Sequence, residues 1–159
     1  TVKTGEALDI GRDMRSGGVT GIHPAKEGYL YLSANTARFW QALCRLTGLD
    51  ALADDPRYAS VKLRAQHAGE ILPRLHEALQ AHTAMQWEEI FGDAVPCAAA
   101  RKIEDMFQHP QVHAEQMIGE VAHPVVGKYQ NVTRPIVYGR TPGPEPFAAP
   151  TLGQDNALL

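Results

Sequence analysis

The chain has 159 residues, 44% of them hydrophobic, which is enough for one domain with a buried core. Its 15 basic and 18 acidic residues leave a formal charge of -3, and neither sign forms a block, which argues against nucleic acid or an anionic membrane as the main partner. No apolar run approaches the ~20 residues of a membrane-spanning helix, and no signal-peptide pattern opens the chain. Cys44 and Cys97 fall in different predicted elements, which suits a reducing cytosol better than a disulfide framework, so we expect a cytoplasmic protein.

Residues 1–25 combine five glycines with only scattered apolar side chains, so we expect a connector that lies on another surface. The run from Ser16 to Gly21 is rich enough in glycine to suggest a phosphate-binding loop. That interpretation is weak, because no strand precedes the run and no lysine closes it.

The first regular element is a strand over residues 29–33, where aromatic and aliphatic side chains concentrate. A helix over residues 36–47 follows, capped by Asn35 or Thr36 and ended by Gly48. Aromatic side chains on this helix could contact a cofactor, but an apolar stripe at helical spacing more often packs in a core. The stripe consists of Phe39, Trp40, Leu43, Cys44 and Thr47.

A polar turn over residues 53–58 places two acids before Pro56, where they can cap the next element. Helices are predicted over residues 61–66 and 69–81, with the break placed so that Pro73 falls in a first turn, where proline is tolerated. The second helix turns four apolar side chains inward, which are Ile71, Leu72, Leu75 and Leu79.

Thr83 and Gln86 form a capping-box pair before a helix over residues 84–91, which Gly92 ends. Three apolar side chains of this helix are expected to pack on the core: Trp87, Ile90 and Phe91.

Residues 95–112 predict a strand, a short helix, a sharp break and a second helix. Pro96 cannot donate a ladder hydrogen bond, so its strand should lie at a sheet edge or begin a ladder. A helix over residues 102–108 carries a stripe formed by Ile103, Met106 and Phe107. His109 is pushed out of the helical region by Pro110, which can itself begin the next helix.

Strand-like segments follow at residues 117–122, 128–133 and 136–138, and their short connections favour antiparallel pairing. We therefore predict an α+β fold, in which helices pack on one antiparallel sheet built from residues 29–33, 117–122 and 128–138. Four prolines between Arg140 and Pro150 predict an extended strap. The predicted organisation is a connector over residues 1–25, a small domain over 26–139 and a C-terminal strap over 140–159.

Few residues suggest chemistry by themselves. His109 with His113, and His76 with His82, supply only two ligands each, so we predict no metal site. Cys97 lacks a local base that would lower its pKa, and adjacent acids such as Asp54 and Asp55 are usually a capping turn. Taken alone, the sequence predicts no catalytic residue in this chain.

Four stretches, taken in order, resemble the family III CoA-transferases, the group of carnitine-CoA-transferase, formyl-CoA-transferase and alpha-methylacyl-CoA racemase. Residues 95–112 resemble the family's "V-P-C … D-P-Q-V" sequence. The other three are Gly28–Leu32 running into Phe39–Cys44, Leu52–Tyr58 with Arg64, and Ala149–Asp155. The resemblance covers roughly residues 22–159, and the family chain is more than twice this long, so the chain resembles only its C-terminal part.

The resemblance implies an enzyme whose nucleophilic aspartate lies in a missing N-terminal domain, together with most contacts to CoA. Its substrates would be an acyl-CoA and a carboxylic acid, the intermediate an aspartyl-CoA thioester, and no cofactor would be bound by this chain. Family dimers interlock, so the partners expected are the N-terminal domain and a second subunit. The segment around Gly17 and Gly18 corresponds to the neighbourhood of a glycine-rich loop that covers the active site in some members, which makes these two residues candidates for a substrate loop.

Three functions compete: part of a CoA-transferase, part of an acyl-CoA racemase or epimerase, and a non-catalytic assembly module. A racemase needs acid and base groups on either side of the alpha carbon instead of a nucleophile. In the family's racemases a glutamate near the start of the first small-domain helix supports the active site. The matching residue here is Thr36, which carries no charge at neutral pH, so the resemblance favours the transferase.

Overall fold

A computed structural model describes residues 18–158, and its helices and antiparallel strands confirm the α+β class. Gly17 and the rest of residues 1–17 lie outside the described part. The chain divides into two compact units, one ending at Ala100 and the other beginning at Arg101.

A three-stranded sheet organises the first unit. Its strands are β1 (Gly21–Pro24), β2 (Tyr29–Leu32) and β3 (Cys97–Ala99), paired antiparallel in the order β1-β2-β3. The edge position predicted for the strand next to Pro96 is confirmed, because β3 borders only β2. Pro96 has no N–H to donate, but its carbonyl accepts a hydrogen bond from the Ser33 N–H at 2.9 Å.

Five helices complete the first unit: α1 (Ala37–Leu46), α2 (Asp50–Ala53), α3 (Val61–Gln66), α4 (Ala68–Leu79) and α5 (Ala84–Phe91). Their ends follow the predicted signals. Thr36 Oγ1 accepts from the Phe39 N–H at 3.2 Å, and Gly48, at φ +72°, follows the last turn of α1. The capping box of α5 is also present, with Thr83 and Gln86 bonded reciprocally.

The hydrophobic core of the first unit lies between one face of this sheet and the helices. Leu30 and Leu32 point from the central strand β2 into the core, where both are fully buried. Helices α1, α4 and α5 supply the largest apolar side chains, which are Trp40, Leu43, Ile71, Leu75, Leu79, Trp87 and Phe91.

Three details differ from the sequence prediction. Residues 18–25 are not an unpacked connector, because β1 lies among them and Val19 is fully buried in the core. Pro73 lies inside α4 and not in its first turn, since that helix already begins at Ala68. Ile90 is 39% exposed, because Trp87 and Phe91, stacked at 5.0 Å, already cover the inner face of α5.

The second unit contains α6 (Ile103–Met106), α7 (Pro110–Ala114) and a separate hairpin of β4 (Ile118–His123) and β5 (Gly127–Val132). The prediction of a single sheet is therefore wrong. The predicted sheet joined the hairpin to residues 29–33, but both sides of β2 are already paired, to β1 and β3, so β2 has no free edge for the hairpin. Residues 136–138 form no strand.

Little apolar surface is buried in the second unit. Among its described hydrophobic residues only Val121 is buried, and Ile103, predicted to lie on an inner stripe, is 79% exposed. The helix break is as predicted, because Pro110 occupies the first turn of α7 and His109 caps it. No helix over residues 18–158 is both long enough and apolar enough to cross a membrane.

Candidate functional site

Two loops meet at one end of the three-stranded sheet, residues 18–20 before β1 and residues 33–36 after β2. They meet because the antiparallel register places Gly21 opposite Leu32. The Thr20 hydroxyl donates to Asn35 Oδ1 at 2.7 Å, and Asn35 Nδ2 donates to Ser33 Oγ at 3.2 Å. We call these two loops the loop cluster, and it contains Gly18, one of the two predicted substrate-loop residues.

Gly18 is held by close packing against α3. Its φ is +80°, and a Cβ atom added there would lie 2.6 Å from the Arg64 carbonyl carbon and 2.8 Å from the Ala65 nitrogen. These atoms belong to the helix backbone and cannot rotate away. The position therefore requires glycine for conformation and for space, independently of any substrate contact.

The buried side chain of Arg64 holds the second loop of the loop cluster in place by hydrogen bonds. Its side chain is fully buried, and its Nη1 donates to the Tyr58 carbonyl at 2.9 Å. Its Nη2 donates to the Asn35 carbonyl at 3.0 Å, and the guanidinium lies 5.1 Å from the centre of the Trp40 ring. Arg64 thereby joins residues 34–35 to the turn that ends at Tyr58. The sequence motif contained this arginine, but nothing local to it revealed these distant partners.

The charge of Arg64 is compensated by carbonyl dipoles and an aromatic face, and no described carboxylate forms an ion pair with it. Burial lowers the pKa of Arg64 because it disfavours the charged form. Two buried donors beside this contact, Arg64 Nε and Trp40 Nε1, have no hydrogen-bond partner. Each unpaired buried donor costs free energy, while the hydrogen bonds of Arg64 position the Tyr58 and Asn35 carbonyls.

A cavity of about 280 Å³ opens beside the first turns of α1. Its walls include Trp40, Gln41, Asp54 and Asp55, which can donate and accept hydrogen bonds. The two aspartates do not act as a matched pair, because Asp55 is bonded to Arg57 at 2.8 Å and caps the 3-10 turn Pro56–Tyr58. Hydrogen bonds from Arg57 hold the pKa of Asp55 below its usual range, so this carboxylate stays ionised instead of acting as a general acid.

Neither thiol is suited to nucleophilic attack. Burial raises the pKa of Cys97 to about 11, with Glu88 adding to the effect, and raises the pKa of Cys44 to about 12. Since the thiolate is the reactive form, both side chains are unreactive at neutral pH. Cys44 is buried and Cys97 half-buried, and the raised pKa of Cys97 agrees with the prediction that it lacks a local base.

The histidine pairs considered from sequence have other partners. His109 Nδ1 accepts from the Gln111 N–H at 3.2 Å, and His113 Nε2 donates to the Phe107 carbonyl at 2.8 Å. Within the described residues, no group of three or more histidine, cysteine, aspartate or glutamate side chains is arranged to hold a metal ion.

A third histidine pair was missed by the sequence reasoning. The His23 Nδ1 and His76 Nε2 atoms lie 3.1 Å apart, and His23 Nε2 is 2.8 Å from the Val19 carbonyl, to which it donates. This pair, in which His23 is fully buried and His76 half-buried, connects β1 to α4. The two residues are 53 positions apart in the chain, so no local pattern could have joined them.

The second unit has a larger open cavity, of about 650 Å³, between its hairpin and residues 142–147. Arg134 Nη1 donates to the Pro144 carbonyl, and Pro146 lies over Gly119 of β4. The walls carry three glutamates, Glu115, Glu120 and Glu145. This excess of acidic groups does not suit an anionic ligand such as a nucleotide.

Comparison with known proteins gives the geometry a context. The family model described as CoA-transferase family III matches residues 1–156. A human succinyl-CoA:glutarate CoA-transferase is 27% identical over 84% of the chain, and a formyl-CoA:oxalate CoA-transferase of Rhodopseudomonas palustris is 28% identical over 72%. The chain spans only 31% and 27% of these two relatives. A crystal structure of a CAIB/BAIF family protein from Brucella suis matches 99% of the chain and 41% of its own length with a TM-score of 0.75 at 19% identity, which shows a shared fold.

Proposed function

Because the chain belongs to the CoA-transferase family III, we propose that it forms the C-terminal part of an enzyme that moves CoA from an acyl-CoA to a carboxylic acid. The observation that carries this proposal is the family match over residues 1–156. The chain covers 31% of the human and 27% of the Rhodopseudomonas relative, which supports the view that the complete protein has a further, N-terminal part.

The proposed reaction uses an aspartate carboxylate of that N-terminal part. Attack of the carboxylate on the acyl-CoA carbonyl expels the CoA thiolate and forms a mixed anhydride. The thiolate then attacks the enzyme's own carbonyl in this anhydride, which releases the donor's carboxylate and leaves an aspartyl-CoA thioester. The acceptor acid reopens the thioester by the same two steps in reverse, so CoA ends on the acceptor and the aspartate is regenerated.

Most candidate nucleophiles among the described residues have structural roles. This supports a nucleophile in the N-terminal part of the complete protein. Asp55 is engaged by Arg57, Glu120 is paired with Lys128 at 2.7 Å, and both thiols have raised pKa values. In the proposal, this chain contributes walls to the active site and the loop cluster lies beside the substrates, with Gly17 and Gly18 as the substrate loop.

The proposal favours a transferase over a racemase because of Thr36. Its hydroxyl caps α1 by accepting from the Phe39 N–H, and it is neutral where the family's racemases carry a supporting glutamate. A threonine in this place serves the helix and supplies no carboxylate.

The proposed organisation keeps residues 1–25 as the segment that leads from the N-terminal part into the small domain, with residues 18–25 packed on that domain, and a strap over residues 140–159 that returns to the N-terminal part. Large exposed side chains support a docked strap, since Phe147 is 76% exposed and Val137, just before the strap, 74%. An interlocked homodimer is proposed by analogy with the family.

The decisive experiment uses the complete protein, with residues 1–159 alone as the control. A mixture with an acyl-CoA and an acceptor acid is treated with hydroxylamine during turnover, and the modified carboxylate is located by peptide mapping. We expect CoA transfer and one modified aspartate outside residues 1–159. Modification of Asp54, Asp55 or Glu120 would place the nucleophile within these 159 residues and contradict the proposal. CoA transfer by the 159-residue chain alone would contradict it in the same way. Exchange of the alpha proton at the rate of turnover would instead favour the racemase.

A further inference from the structure

The three-stranded sheet of the first unit has one face that no described helix covers. Side chains alternate between the two faces of a strand, and Leu30, Leu32 and Ala99 point into the core. On the opposite face Tyr29 is 58% exposed and Tyr31 is 46% exposed. We call this exposed surface the tyrosine face, and its members are Ile22, Pro24, Tyr29, Tyr31 and Ala98.

The strand register makes the tyrosine face continuous. Ile22, Tyr31 and Ala98 stand opposite one another across all three strands, and Pro24 stands opposite Tyr29 in the neighbouring row. Directly opposed residues lie about 4.5–5.5 Å apart, so these side chains form one surface. Its two exposed tyrosines are of a residue type that is enriched at the centres of protein interfaces.

The tyrosine face adjoins the loop cluster. Tyr31 is followed after one residue by Ser33, the first residue of the second loop, and Ile22 follows the first loop in the same way. A surface docked on the tyrosine face would therefore also reach the loop cluster.

We propose that the tyrosine face is the surface of this chain on which the N-terminal part of the complete protein docks. This inference rests on the proposed function, because it takes the rest of a family protein as the occupant. The lengths of the relatives support that occupant, since more than two thirds of the human and the Rhodopseudomonas relative lie outside the matched region. Tyrosine suits such a contact, because its ring buries a large area and its hydroxyl can bond to a polar rim.

The size of the face argues against a second copy of this chain as the occupant. Three strands of about four residues cover roughly 13 Å by 14 Å, or about 200 Å² of sheet. A stable complex between separate proteins buries about 800 Å² on each partner. A surface this small is adequate when covalent connection holds the partner nearby at high effective concentration.

Thiol labelling tests the docking surface without relying on activity. Tyr31→Cys is introduced into the complete protein and, separately, into the 159-residue chain, and maleimide labelling is followed by peptide mapping. Met85→Cys is the matched control, because Met85 is 48% exposed on α5. Native Cys44 and Cys97 are separated by mapping and react slowly, since burial raises the pKa of both.

We expect the introduced thiol of Tyr31→Cys to react about thirtyfold more slowly in the complete protein than in the 159-residue chain, because a covered site reacts only when it transiently opens. Met85→Cys should react at the same rate in both. Equal rates for Tyr31→Cys would overturn the inference, and so would equal shielding of both variants, since the protection would not belong to the face. Slow labelling in the 159-residue chain that depends on its concentration would identify a second copy as the occupant and contradict the inference.

The outcome is separable from that of the proposed function. A complete protein that shields Tyr31→Cys but transfers no CoA supports the docking surface and contradicts the transferase. An active transferase in which Tyr31→Cys is labelled freely supports the proposed function and contradicts the docking surface.

Discussion

The Gly18–Arg64 contact shows how a single residue shapes the loop cluster. Gly18 lies against the backbone of α3 at the point where Arg64 reaches across to the Asn35 carbonyl. The two loops are thus attached to the same helix, one by backbone packing and the other by hydrogen bonds. A substitution at Gly18 or Arg64 should therefore destabilise the loop cluster more than the three-stranded sheet.

Replacing Gly18 with alanine should destabilise the first unit by about 2–3 kcal/mol, because the left-handed φ and the backbone clash both oppose a Cβ atom. Gly48→Ala is the matched control, since Gly48 has a similar φ of +72° but open space around its Cβ position. The control should cost only about 1–2 kcal/mol. Urea unfolding of both variants measures the difference, and an equal cost would show that the close approach to Arg64 is not a constraint.

The carboxylates around Arg57 predict a pH dependence. Hydrogen bonds from Arg57 lower the pKa of Asp55, and hydrogen bonds from His67 and Tyr58 lower the pKa of Glu70. A carboxyl with a lowered folded-state pKa contributes stability that is complete above its unfolded pKa of about 4 and is lost as pH falls through the folded value.

Asp55→Asn should therefore lower the melting temperature at pH 7, and its difference from the wild type should shrink as pH falls below about 4. An asparagine can still cap the 3-10 turn, so the substitution isolates the charge. Asp54→Asn is the control, because Asp54 is exposed and forms no hydrogen bond or ion pair with another described residue. Thermal unfolding across this pH range is the measurement, and a difference that grows in acid would be the wrong sign.

At the scale of the element, the helices of the first unit end where their own residues specify. Thr36, Gly48, Thr83 and Gln86 occupy the positions that their chemistry favours. The strands are specified less clearly by their own residues. β1 has an inward-facing His23 between exposed Ile22 and Pro24, which reverses the apolar pattern expected of a strand.

The capping box of α5 should be a measurable part of its stability. Thr83→Ala removes the side-chain oxygen that accepts from the Gln86 N–H at 3.2 Å, and should cost about 1 kcal/mol. Thr83→Ser retains the hydroxyl and should cost much less. Chemical denaturation of the two variants compares them directly, and equal losses would assign the effect to the methyl group instead of the cap.

At the scale of the whole molecule, the two units differ in how much apolar surface they bury. The first has a core of large side chains, whereas Val121 is the only buried hydrophobic residue among those described in the second. Fixing a residue's backbone costs about 1–2 kcal/mol, and burial on this scale does not offset that cost over the second unit. The second unit should therefore depend on contacts outside itself.

Amide exchange on the 159-residue chain tests this dependence. We expect slow exchange in α1, α4 and α5 and rapid exchange over residues 140–158, which carry few hydrogen bonds. In the complete protein the same amides of residues 140–158 should become protected. Strong protection in the isolated chain would show that the strap needs no further partner.

The sequence by itself determined the α+β class, the ends of most helices and the family resemblance. Caps, positive-φ glycines and prolines act within a few residues of one another, and motif order is a property of the chain alone. The tertiary structure decided which strands pair with β2, which approach makes Gly18 necessary, what Arg64 supports, and how His23 meets His76. These contacts join residues distant in sequence, and periodicity shows which side chains share a face but not what covers that face. For that reason the tyrosines of β2 could be read as strand residues from the sequence, while their exposure became visible only once the helices had packed on the other side of the sheet.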